Sequence, residues 1–133
     1  MEIGRREFLA GVAAFALAGP AALNAERKGS TMYGLIGKMR AVAGERDALL
    51  AILLEGTGSM PGCLSYIIAT DPADADALWI TEVWESEESH KASLQLPAVR
   101  DAIARGRPLI AGFDSHTVTT PVGGFGLPSP ATS

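Results

Sequence analysis

An α+β fold of the split βαβ kind, a four-stranded antiparallel sheet with its helices on one face, is predicted by three features of this 133-residue chain. β-rich apolar runs and helix-period runs follow one another in the order β-α-β-β-α-α-β. The middle two strands are joined by the short turn cluster from Asp71-Pro72 to Asp76, which makes them a hairpin. A hydrophobic fraction of 47% over this length supports one packed core and not two.

Tyr33 to Ala41 reads as the first strand. Its internal Gly34 and Gly37 weaken it but let another backbone or a ligand come close. Ala43 to Glu55 carries Leu49, Ile52 and Leu53 at helical spacing, with Leu50 and Leu54 widening the stripe, so it reads as a core-facing helix. Gly56, Gly58 and Pro61 close it. Cys63 to Thr70 and Leu78 to Trp84 are the hairpin strands. Ser86 is placed as an N-cap, with Glu87 and Glu88 in the first turn, for a helix that ends near Gln95, where Leu96-Pro97 interrupts it. A third helix from Ala98 to Arg105 turns Val99, Ala102 and Ile103 inward, and Gly106 stops it. Phe113 to Thr120 alternates Ser115, Thr117 and Thr119 with His116 and Val118, which suits a closing strand. The whole is a ferredoxin-like arrangement. A twofold partner laying its own sheet on the open face would bury both, so a homodimer, a dimeric α+β barrel, is expected.

Ahead of this domain, residues 1–25 have the layout of a signal peptide: Arg5 and Arg6, an apolar run from Phe8 to Ala18, then small residues from Gly19 to Ala25. The run is about half of what a transmembrane helix needs, so no permanent membrane anchor is expected. The arginine pair followed by Glu7, Phe8 and Leu9 resembles the twin-arginine export motif, and cleavage is expected after Ala25. Residues 26–31 then form a linker, 32–120 the domain and 121–133 a Gly/Pro-rich tail. Were Met32 the true start, the protein would stay in the cytoplasm. Gly123, Gly124 and Gly126 of the tail have no helix after them, so they fail as a phosphate loop.

The formal net charge of −4 comes with no long basic run, which leaves nucleic acid without an electrostatic footprint. A lone Cys63 forms no internal disulfide. It also lacks companions at metal-ligand spacing, so it is expected buried and inert and no metal is expected.

At Glu82 to Ile103 (EVWESEESHKASLQLPAVRDAI), Tyr33 to Met39 (YGLIGKM) and Met60 to Tyr66 (MPGCLSY) the chain resembles the antibiotic biosynthesis monooxygenase family, which includes proteins assigned as quinol monooxygenases. The resemblance covers about ninety residues. Its most specific piece is Glu82-Val-Trp84-Glu-Ser86, followed by His90 and Leu96-Pro97. It implies a dimeric α+β barrel that oxygenates phenolic or quinol-like substrates with O2 and without metal, flavin or haem. Haem-degrading members of the family use an asparagine, a tryptophan and a histidine at positions that align with Gly37, Ser93 and Ile103. None of these three can play the corresponding part, so haem is disfavoured.

A cofactor-free oxygenase must turn its substrate into the electron donor, which requires a base and an apolar pocket. The period-two rule puts Glu82 and Trp84 on one strand face with Leu78 and Ile80. Glu82 is then either a catalytic carboxylate or half of a structural ion pair with Arg100 or Lys38. His90, one turn before Leu94 on an apolar side of its helix, is the preferred general base. Trp84, Tyr66 and His116 are the candidate substrate-binding groups. Trp79 falls on the opposite strand face and is assigned to the dimer interface. Arg105 and Arg107 flank Gly106, where positive charge suits a helix end. The competing reading is a non-catalytic dimer that binds an aromatic ligand. A purely structural dimer would have its cavity filled by side chains.

Overall fold

A computed structural model describes residues 31–128. The expected leader, nearly all of the linker and the last five residues of the tail lie outside the described residues. The elements are β1 (Tyr33–Ala41), α1 (Arg46–Gly56), β2 (Cys63–Thr70), β3 (Ala77–Trp84), α2 (Glu87–Ser93), α3 (Pro97–Gly106), a 3-10 turn (Arg107–Leu109) and β4 (Ile110–Thr119). The strands lie in the order β2-β3-β1-β4, every neighbouring pair antiparallel, which is the ferredoxin-like α+β fold the element order predicts.

Two boundaries differ from expectation by three residues, each for a backbone reason, and the others agree to within two. The first helix begins at Arg46 and not Ala43, because Val42 to Glu45 forms a tight turn in which Glu45 N–H donates to the Val42 carbonyl and Gly44 takes a φ of +80°. β4 begins at Ile110 and not Phe113, since Ile110 already pairs with Ala41 of β1. In α2, Ser86 caps as predicted, its Oγ accepting from the Ser89 N–H at 3.1 Å. Pro97 opens α3 at a position where a missing N–H costs nothing.

All three helices cover one face of the sheet. Met39, Ala41, Leu78, Ile80 and Ile110 pack there against Leu49 and Leu53 of α1. Tyr33, Leu35 and Trp84 form a second cluster with Met60, Cys63 and Tyr66. Leu54, expected to widen the apolar stripe of α1, instead faces outward at 61% exposure. α3 crosses α1 closely because Gly56 has no side chain to meet Ala102. Among the described residues no helix is long and apolar enough to cross a membrane.

Nothing in the apolar periodicity of α1 marks Arg46. Its Nη1 reaches the carbonyls of Asp74 (2.9 Å), Ala77 (3.1 Å) and Asp71 (3.5 Å), tying α1 to the β2–β3 turn. On the open sheet face, Lys38 pairs with Asp71 and Asp114, and Arg40 with Asp74 and Asp114. Trp79 lies on this face as expected. Its Nε1–H donates to Asp71 at 2.9 Å, and the Lys38 ammonium sits 5.6 Å from its ring centre.

Candidate active site

Between the helices and the sheet lies a mostly apolar cavity of about 90 Å³. The fold does not fill it, contrary to what a purely structural dimer predicts. Glu82, Trp84, His90, Tyr66 and His116 all line it, together with Gly37. The enclosed volume is smaller than the roughly 150 Å³ of an engineered apolar cavity that binds benzene. A single ring would therefore extend into the mouth.

β3 supplies one wall by the alternation read from the sequence. Trp84 is 1% exposed, and its Nε1–H donates to Glu82 Oε1 at 2.8 Å. Tyr66 of β2 is the cross-strand partner of Glu82, and burial holds its hydroxyl well above the ordinary tyrosine range. Neither cation foreseen as a partner of Glu82 pairs with it. Lys38 is on the opposite sheet face with Asp71 and Asp114, and Arg100 is exposed on α3. Glu82 is thus a carboxyl in apolar surroundings. Burial pushes it up to about 7, although the Trp84 hydrogen bond pulls the other way.

The opposite wall comes from α2. The Ser86 cap sets the helix so that His90 points inward and is 4% exposed, more deeply placed than a helical histidine usually is. Tyr33 and Trp84 flank its imidazole, each with a ring-centre separation of 5.4 Å. Its Nε2 lies 4.0 Å from Glu82 Oε1, and its Nδ1 is buried with no hydrogen-bond partner. Of the two ring nitrogens, Nε2 is the one that faces the Glu82 carboxyl, at a distance longer than a hydrogen bond. Burial, reinforced by nearby His116, pushes His90 down to about 4, so it is uncharged near neutral pH.

His116 and Phe113 share the cavity side in a way that strand alternation does not foresee. Phe113 and His116 are three residues apart and should face opposite ways. The pairing of β4 with β1 shifts between Lys38↔Ser115 and Met39↔Phe113, which leaves Asp114 as an extra, bulged residue. The bulge turns both rings to the helix side, 5.4 Å apart. It also sends the Asp114 carboxylate to the open face, where Arg40 Nη2 meets it at 2.7 Å.

The three positions aligned with haem-degrading machinery also line the cavity: Gly37, Ser93 and Ile103. Ser93 Oγ donates to the His90 carbonyl at 2.7 Å, while Gly37 and Ile103 carry no polar side chain. Among the described residues no group of three or more His, Cys, Asp or Glu side chains could hold a metal ion. Cys63 is half-buried, not fully buried as expected. Burial raises its pKa, which keeps it a thiol.

Fold and cavity define a class: ferredoxin-like α+β proteins with a polar pair set into an apolar chamber under the helices. Residues 32–105 match the model of the family described as antibiotic biosynthesis monooxygenase, and the chain belongs to that family. It is similar to a crystal structure from Chloroflexus aurantiacus J-10-fl, named as a candidate antibiotic biosynthesis monooxygenase, at 71% identity and a TM-score of 0.71. The match covers 73% of this chain and 99% of that one. A Nitrosomonas europaea structure of the same designation, 13% identical, shares the fold at a TM-score of 0.60, with 71% of this chain and 90% of that one covered. No curated protein matches the chain.

Proposed function

We propose that this protein is a cofactor-independent monooxygenase that oxidises a small quinol or phenolic substrate with O2. The observation that carries the reading is a buried carboxyl, Glu82, poised near neutral pH on the wall of an apolar cavity and flanked by a neutral histidine. Such a group is a base matched to a phenolic proton. Glu82 is the better base of the two: its affinity for a proton lies closer to that of a phenol than the affinity of His90, which burial has weakened. His90 donates from Nε2 and steadies the charge that develops beside it. Trp84 holds the carboxylate in place.

In this reading Glu82 takes the proton of a hydroquinone, and the electron-rich anion passes one electron to O2. The radical pair joins to form a carbon–oxygen bond. The O–O bond then breaks, one oxygen leaves as water, and the ring ends as a hydroxyquinone. The substrate supplies all four electrons that O2 accepts. The apolar walls keep bulk water from the charged intermediates. The reading further includes a homodimer and export by the twin-arginine route.

Oxygen uptake by the purified protein over a panel of hydroquinones, with product identification, is the direct test. Uptake linked to a defined hydroxyquinone is expected. Glu82→Gln should lower kcat/KM by about 10²-fold or more and abolish the pH limb near neutrality, the usual contribution of a positioned base. His90→Gln should cost less and leave that limb in place. Aromatic ligands that bind without oxygen uptake would make this a binding protein instead.

A further inference from the structure

Gly37 stands in the interior of β1, a position where glycine weakens a strand relative to alanine. The fold gives other glycines a reason. At Gly34 a side chain would run into Thr119 and Pro121, at Gly56 into Ala102, and Gly62 takes a φ of +83°. Gly37 has neither kind of reason. Its φ is not in the left-handed region, and an added Cβ would find only His116 Cδ2 at 3.4 Å and the Ser115 carbonyl at 3.5 Å, ordinary van der Waals contact.

What Gly37 does is line the cavity. Its register partners are Ile80 on β3 and His116 on β4, so its bare backbone lies between the wall that carries Glu82 and the wall that carries His116. A valine side chain at this point would project into the cavity and take up part of its free space.

We infer that Gly37 is a specificity-determining residue: its backbone is the floor on which a flat, single-ring aromatic lies, and its missing side chain is the space that the ring occupies. This rests on reading the cavity as the site for a phenolic ring. The glycine is retained for the ligand at the expense of the strand.

Two properties of the full chain, measured together, test this: thermal stability, and the affinity for phenol by isothermal titration calorimetry. Gly37→Ala should raise Tm by about 3 °C, as expected when a strand glycine without a conformational role is replaced, and should weaken phenol binding. Gly37→Val should keep the fold and weaken phenol binding by about tenfold or more. A lower Tm for Gly37→Ala would assign the glycine to the fold and overturn the inference. Wild-type affinity in Gly37→Val, or no phenol binding by the wild type, would overturn it as well. Oxygen uptake is a separate readout. Size-graded phenol binding without uptake leaves the floor standing and removes the monooxygenase, whereas uptake unaffected by Gly37→Val does the reverse.

Discussion

Glu82 and His90 share one chamber, and burial pushes them toward the same end, loss of charge. For Glu82 the folded carboxyl titrates near 7 against an ordinary 4.5, so the unfolded chain ionises first and stability falls as pH rises between those values. At about 1.4 kcal/mol for each pH step across that window, the loss approaches roughly 3 kcal/mol. For His90 the folded ring titrates near 4 against 6.5, so stability falls as pH drops through that window. The two slopes oppose each other where they overlap, and the wild-type Tm should change little there. Glu82→Gln should leave a Tm that climbs from pH 4 to 6.5 and then levels, the signature of His90 alone. His90→Gln should leave one that declines from pH 4.5 to 7. Scanning calorimetry across pH reads both, and parallel curves for the three proteins would remove the buried pair from the account.

Among the elements, the β2–β3 hairpin and α1 depend on a side chain that periodicity does not mark. Arg46 begins a helix, where a positive charge is mildly unfavourable, yet its guanidinium gathers three carbonyls of the hairpin turn. Arg46→Met keeps the aliphatic stem and removes the donors. The expected cost is about 2 kcal/mol, or roughly 10 °C in Tm for a domain of this size. An unchanged melting curve would mean that the turn holds itself through its own bonds, Ala73 N–H to Asp71 Oδ1 and Asp76 N–H to Asp74 Oδ1. The β4 bulge belongs to this scale too. One extra residue, Asp114, brings His116 to the cavity and fastens Arg40 on the other face.

For the whole molecule, the sheet face away from the helices divides in two. One end carries Lys38 and Arg40, which are paired with the three carboxylates of Asp71, Asp74 and Asp114. The other carries the register row Ile67, Thr81, Ile36 and Thr117, with Ile67 at 56% exposure. We propose that a second copy covers this row. Size-exclusion with light scattering should give twice the chain mass, and Ile36→Glu should halve it. A wild-type monomer at micromolar concentration would rule out the barrel. For the leader, which lies outside the described residues, replacing Arg5 and Arg6 together by lysine should trap the protein in the cytoplasm. Unchanged export, seen by fractionation, would end the twin-arginine reading.

Patterns that repeat within a few residues were legible in the sequence alone. Period-two alternation put Glu82 and Trp84 on one face and Trp79 on the other, and β1 and β2 have the bounds that composition predicts. Ser86 announced its helix by being the right residue before an acidic first turn. All five candidate site residues line one cavity; strand faces and helix stripes are local, and the fold only stacks them. Tertiary structure decided the rest. The proton affinities of Glu82 and His90 depend on how far each is taken out of water and which charges come near, and no spacing in the chain encodes that. The partners of Lys38 were settled by which sheet face it lies on, and the meeting of Phe113 with His116 by a bulge at Asp114, just ahead of the alternation that reads β4. Gly37 is the sharpest case. From the chain it is a weak point in a strand, and only the walls raised on either side by β3 and β4 make it the floor of a cavity.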